Sequence, residues 1–330
     1  FNLEQFNKSA EHVIEHMAFD QCKGQCYRDG IGCLNPQLVK LLDENGAVLL
    51  GKTITTEFAD GHPPETKNPW DPNRTPGGSS TGSAVAVATR MLPYALGTQT
   101  VGSVLRPAAY NGIVGLKPTY GLISRTGVIP QSDSCDTIGI LCRNVKDAGL
   151  ILKSIVGYDP SDNKSSIKAN SFEINNNLND SIPKIGFLSK YFMEESDEQV
   201  KYSTLSALKS LSDQGAVIEE LELKIDFKSG FQSHRIVQQS EMAQWHEPLY
   251  SKYANKYKPI TLEYIKSGFS QKATEYIDAL EFRNHMRKVF IDSFKSIDVL
   301  IMPTASGLPP KDLSRTGDTR FQSPWTFTGL

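Results

Sequence analysis

The chain has 330 residues, 39% of them hydrophobic, so it is long enough to bury a sizeable core. Its 35 basic and 37 acidic side chains nearly cancel, which leaves no overall field to gather a polyanion or an anionic membrane surface. No apolar run approaches the ~20 residues of a membrane helix, and the N-terminus lacks a basic-then-apolar leader, so a membrane is excluded and the expected compartment is the cytosol.

In chain order, the first feature is His12-Val13-Ile14-Glu15-His16, followed by Cys22, Cys26 and Cys33. Two histidines four apart share a helix face, but the cysteine spacings do not repeat a zinc hairpin, and a solvated helix face is the better reading. Five cysteines form an odd set, which argues for reduced thiols rather than a disulfide framework. The sequence starts at Phe1 and stops at Leu330 within an aromatic, turn-like stretch, so a chain incomplete at both ends is expected.

An amphipathic helix is expected from Pro36 to Glu44, ended by Asn45-Gly46, with Ala47 to Leu50 as a buried strand. Gly46 to Thr53 fits the letters of a phosphate-binding P-loop. In that motif the four middle residues must be a loop and a helix must start at the lysine, whereas here they read as the strand itself. Residues 60 to 78 are rich in Pro and Gly and read as a long surface loop.

A small-residue helix is expected over Ala84 to Met91, a strand at Asp136 to Gly139 and a helix over Val145 to Val156. Residues 159–182 read as a mobile connector, and 183–296 as a largely helical region. Within that region strands are expected at Lys184 to Leu188 and Val217 to Leu223, and helices at Glu198 to Gln214, 232 to 253 and 271 to 295. A strand at Val299 to Met302 closes the pattern, which alternates as in α/β proteins and shows no internal repeat.

Two serine-bearing segments carry the chemistry: Gly77-Gly78-Ser79-Ser80-Thr81-Gly82-Ser83, and Gly97-Thr98-Gln99-Thr100-Val101-Gly102-Ser103, whose Ser103 lies 24 residues after Ser79. Alone, either is explained by turn geometry and helix capping. Together, with Asn111-Gly112-Ile113-Val114-Gly115-Leu116-Lys117-Pro118-Thr119-Tyr120-Gly121, Gly51-Lys52-Thr53 and Asn68-Pro69-Trp70, they resemble the amidase-signature family. The resemblance covers about 27 to 160 closely and 298 to 330 more weakly, and it implies that 183–296 is a variable region that shapes the substrate pocket.

The resemblance implies a single α/β domain over 1–330, with a mixed β-sheet sandwiched between helices. It implies hydrolysis of a linear carboxylic amide through an acyl-serine intermediate, with no metal or organic cofactor. Ser103 would be the nucleophile, and Ser79, joined to Gly78 by a cis peptide bond, would relay its proton to a lysine. Counting back from Ser79, the candidate for that lysine is Lys8. A serine hydroxyl needs such a base to attack at neutral pH.

The oxyanion hole would come from the main-chain N–H groups of Thr100, Val101, Gly102 and Ser103. Val101 stands where the family has glycine, so φ must be negative there, and Thr81 replaces another glycine. Arg106 could meet a substrate carboxylate or orient the loop. Partners would be a small amide substrate and, in a homo-oligomer, a second copy. Nucleic acid would enter only if the chain served in an amidotransferase complex, passing ammonia to misacylated tRNA. A catalytically silent amidase-like scaffold is the remaining alternative.

Overall fold

The structure is a computed structural model, described over residues 36–174 and 182–330. Lys8, the His12 to His16 pattern and Cys22, Cys26 and Cys33 lie outside the described residues. No described helix is long and apolar enough to cross a membrane.

Helix α1 (Pro36–Glu44) ends as expected, with Gly46 in the left-handed region at φ 78°. Residues 47–50 are a departure: no strand forms, and Val48, Leu49 and Leu50 are exposed because no described strand pairs with them. No helix starts at Lys52 either, so the backbone there has no P-loop shape. Instead the Thr53 hydroxyl shares a hydrogen bond of 2.6 Å with Ser83.

The first sheet is antiparallel, in the order β1 (Tyr94–Gln99), β3 (Thr137–Cys142), β2 (Val114–Leu116). Every residue of β3 is buried, because its two faces meet different helices. Ile138, Ile140 and Cys142 pack with Ala148, Ile151, Leu152 and Ile155 of α4 (Val145–Ile155). On the other face, Leu141 packs with Ala84 and Val87 of α2 (Thr81–Ala88) and Ala108 of α3 (Leu105–Asn111). Successive side chains of a strand alternate in direction, so one short strand serves both layers.

The second sheet is parallel, in the order β5 (Val217–Leu221), β4 (Lys184–Leu188), β6 (Val299–Ile301). With it come α5 (Lys190–Glu194), α6 (Glu198–Asp213), the long α7 (Phe227–Tyr253), α8 (Pro259–Ser270), α9 (Ala273–Ser293) and α10 (Ser323–Phe327). The core on this side joins Leu188, Phe192, Phe227, Phe290, Phe321 and Phe327. The molecule is thus α/β, with strands of both senses and helices packed on them.

Helices α4, α6 and α7 begin at side-chain caps. Asn144 accepts the Asp147 N–H at 2.8 Å, Asp197 accepts that of Val200 at 2.8 Å, and Asp226 accepts that of Ser229 at 3.1 Å. Four helices escape the sequence reading, α3, α5, α8 and α10; α8 begins at Pro259 and α10 has Pro324 in its first turn, where an N–H needs no partner. The 324 to 330 stretch is therefore partly helical rather than a turn. Residues 159–174 are tied back to the first sheet's side: Asp159 accepts the Ser124 hydroxyl at 2.5 Å, and Asp162 pairs with Arg125 at 3.1 Å.

Candidate active site

The two serine segments meet. Ser79 and Ser103 are both buried, and the main-chain N–H of Ser80 donates to the Ser103 carbonyl at 3.2 Å. The Gly78–Ser79 peptide bond is cis. The Ser79 carbonyl accepts N–H groups from Thr56 at 3.2 Å and Thr81 at 2.8 Å, which fixes the turn from both sides. Thr81, the departure from glycine, uses its hydroxyl to close on the Gly77 carbonyl at 2.9 Å, so the extra side chain braces the loop.

Glycine is required at 97 for space. A Cβ there would lie 2.3 Å from the Ser80 hydroxyl oxygen, which donates to the Thr98 carbonyl at 3.3 Å. The strand leading to Ser103 therefore runs directly against the loop that carries Ser79.

The segment from Thr100 to Ser103 has its carbonyls and its N–H groups divided between two tasks. Each carbonyl has a donor: His234 Nε2 to Thr100 at 3.0 Å, the Thr326 hydroxyl to Val101 at 2.8 Å, the Arg106 N–H to Gly102 at 2.9 Å, and the Ser80 N–H to Ser103 at 3.2 Å. Among the described residues, none of the four N–H groups of Thr100, Val101, Gly102 and Ser103 donates to a protein acceptor. Val101 is not among the residues with positive φ, as its side chain requires.

The groups that hold this segment are largely ones the sequence does not announce. Gln99 caps the following helix, its Oε1 accepting from Val104 and Leu105 N–H at 2.8 and 2.9 Å, while its Nε2 donates to Thr326 at 2.8 Å. Asp136 accepts the Thr100 hydroxyl at 2.5 Å and the N–H groups of Gln131 and Ser132 at 2.7 and 3.0 Å. Burial lifts its pKa to about 6 despite these donors, so at neutral pH it remains an acceptor.

His234 is buried, stacked on Phe327, and accepts the Ser323 hydroxyl at Nδ1 at 2.7 Å. Burial holds its pKa down to about 3, which keeps the ring neutral with its proton on Nε2, facing the Thr100 carbonyl.

Arg106 is buried and takes the loop-orienting position. Its guanidinium donates to the Gly78 and Gly317 carbonyls, both at 2.6 Å, and to the Thr316 hydroxyl at 2.9 Å. Among the described residues no lysine hydrogen-bonds Ser79 or Ser103. Lys117, the most buried of them, has its pKa pulled to about 7 by burial and donates to the Pro118 carbonyl at 2.7 Å.

A cavity of about 100 Å³ opens beside Ser103, lined also by Asp60, Val101, Arg106, Arg235 and Gln238. A wider one of about 690 Å³ adjoins it, sharing Ile260 and Arg315. A buried serine lining a cavity, in a segment whose four N–H groups meet no acceptor among the described residues, is an arrangement able to serve acyl transfer.

Comparison with known proteins agrees. Residues 34–328 match the family model described as Amidase, and the chain belongs to the amidase-signature family. It is 34% identical over 329 residues to the glutamyl-tRNA(Gln) amidotransferase A subunit of Alkaliphilus metalliredigens, covering 90% of this chain and 67% of that one.

Among solved structures it resembles the glutamyl-tRNA(Gln) amidotransferase A subunit from Thermotoga maritima (TM-score 0.74, 28% identity, 89% of this chain and 67% of that one). It also resembles the native peptide amidase from Stenotrophomonas maltophilia (TM-score 0.70, 27% identity, 89% of this chain and 68% of that one). The chain thus spans about two thirds of the length of these relatives.

Proposed function

We propose that the protein is an amidohydrolase that cleaves a linear carboxylic amide through an ester to Ser103. The observation that carries this reading is the division of labour in the segment from Thr100 to Ser103: four carbonyls engaged by the protein, and four N–H groups that meet no acceptor among the described residues.

In this reading the Ser103 oxygen attacks the amide carbon, and the C–O bond forms as the carbonyl electrons move onto oxygen. The charge that develops there is met by N–H groups already in place, whose alignment is maintained through their carbonyls by His234, Thr326, Arg106 and Ser80. The serine proton passes to Ser79 and on to a neutral amine base, for which Lys8 is the candidate. As the tetrahedral species collapses, the C–N bond breaks and the leaving nitrogen takes the proton. Water then cleaves the acyl ester, regenerating Ser103 and releasing the acid.

The 34% identity to the catalogued A subunit of a glutamyl-tRNA(Gln) amidotransferase favours a second reading, in which the same acyl-serine chemistry frees ammonia for transfer to an acyl-tRNA held by partner proteins. Release of ammonia from a panel of simple primary amides by wild type and Ser103→Ala tests the first reading. Turnover by wild type, lost in Ser103→Ala, is the expected result. Turnover only of glutamine, and only with partner proteins and tRNA, would favour the second. Absence of turnover under both conditions would leave a silent scaffold.

A further inference from the structure

The cavity at Ser103 has a wall whose polarity the reaction itself does not require. Asp60, Gln131, Arg235, Gln238 and Tyr264 line it. Two acceptors in this wall have no donor among the described residues: Asp60 Oδ2 and Gln238 Oε1. Both side chains are buried, with Asp60 5% and Gln238 3% exposed. Buried polar atoms in folded proteins nearly always have partners, so two orphaned acceptors on one cavity point to a ligand that brings donors. The other Asp60 oxygen is already used, accepting Gln131 Nε2 at 3.2 Å.

The charges around Asp60 narrow the class of donor. The groups that act on it are Arg235 and the Gly61 N–H, which favour its charged form, and Glu57 and Glu263, which oppose it; of the charged ones only Arg235 lines the cavity, where Arg106 and the exposed Arg315 are the other guanidiniums and Asp60 is the carboxyl. The Arg235 guanidinium lies over the Tyr264 ring at 4.2 Å from its centroid. Burial pushes the Asp60 carboxyl well above the usual carboxylate range, so a cation bound beside it would favour its ionised form. An incoming ammonium supplies that cation and three N–H donors at once. A carboxylate would be met by Arg235 and the exposed Arg315 but brings no donor, and so would leave Asp60 Oδ2 and Gln238 Oε1 without a partner. The third orphan of the lining, Arg106 Nε, belongs to a guanidinium already turned to the oxygens of Gly78, Thr316 and Gly317.

We propose that Asp60 and Gln238 form a subsite for a primary amino group on the acyl part of the substrate, so that short aminoacyl amides are the preferred substrates. The proposal rests on Ser103 being the nucleophile of the reading above. The small volume beside Ser103 has room for a short chain between the reacting carbonyl and the ammonium.

Four amides of one length test it: β-alaninamide, its methyl isostere butanamide, succinamide with a second carboxamide, and succinamate with a carboxylate. Two readouts keep binding apart from chemistry, kcat/KM on wild type and calorimetric Kd on Ser103→Ala. At pH 7, β-alaninamide should exceed butanamide and succinamate by about tenfold or more in both. That preference should fall to near unity in Asp60→Asn and in Gln238→Leu, each combined with Ser103→Ala for the binding arm.

Equal binding of butanamide, a preference for succinamide or succinamate, no binding of any of the four, or a preference for β-alaninamide that survives Asp60→Asn would overturn the proposal. Selective binding of β-alaninamide by Ser103→Ala without turnover by wild type would uphold the amino subsite and sink the hydrolytic reading.

Discussion

The N–H of Ser80 donates to the carbonyl of Ser103 at 3.2 Å, so the residue after the relay candidate is tied to the nucleophile candidate itself. Two loops separated by 24 residues in sequence are thereby fixed relative to each other through main-chain atoms. Side-chain substitutions at either serine should leave this tie intact, whereas changes that push the loops apart should not.

Gly97→Ala is such a change. Its Cβ would fall 2.3 Å from the Ser80 hydroxyl oxygen and 2.8 Å from the Ser80 Cβ, so the Ser79 loop must move. We expect a loss of ~1–3 kcal/mol in urea denaturation, typical of overpacking, together with slower acylation of Ser103.

His234→Leu removes the donor to the Thr100 carbonyl and strands a buried acceptor, at a cost of ~1–3 kcal/mol. The wild-type ring also imposes a pH dependence. Its folded pKa, about 3, lies below the ordinary 6.5, so below pH 6.5 the unfolded chain binds the proton first. Stability should therefore fall as the pH drops from 6.5 toward 3, and unfolding curves of the leucine variant should lack this component of the slope.

Thr326→Val deletes the hydroxyl that donates to the Val101 carbonyl and accepts from Gln99 Nε2, both at 2.8 Å. The cap that Gln99 places on α3 loses its anchor in the same stroke. Expected outcomes are a stability loss of ~1–3 kcal/mol and a lower kcat with little change in KM, with Thr326→Ser restoring both.

Lys117 gives a slope of the same sign on the alkaline side. Its pKa is drawn from 10.5 to about 7 by burial, so between these values the unfolded chain carries a proton the folded chain does not. Stability should rise with pH from about 7 to 10.5, and Lys117→Met should flatten that rise when ΔG is measured across the range.

The local elements were legible because their signals are local. The Asn45-Gly46 pair announces a helix stop and β3 shows its character in Ile138 and Ile140, whereas the cap Asp226 went unread and α7 starts at Phe227, ahead of the expected 232. Ala47 to Leu50 misled for the opposite reason: an apolar run says that burial is wanted, but a strand forms only where a partner offers its edge.

At the site, Ser79 and Ser103 could be picked out because their loops carry distinctive runs of glycine and hydroxyl residues. His234 and Thr326 could not, since each acts on the Thr100 to Val101 turn from 134 and 225 residues away, within segments whose sequences look like ordinary polar helix and aromatic turn. Asp60 was equally silent, because an acid in a polar, proline-rich loop reads as solvated until the fold buries it.

The central claim is that Ser103 is an activated nucleophile facing prepared N–H donors. A fluorophosphonate probe followed by peptide mapping tests it most directly, since the probe reacts with a serine whose proton can be removed and whose adduct oxygen is held. The account predicts one adduct, on Ser103, absent in Ser103→Ala and formed much more slowly in Ser79→Ala. An adduct on another residue, or labelling of Ser103 that proceeds unchanged in Ser79→Ala, would contradict it.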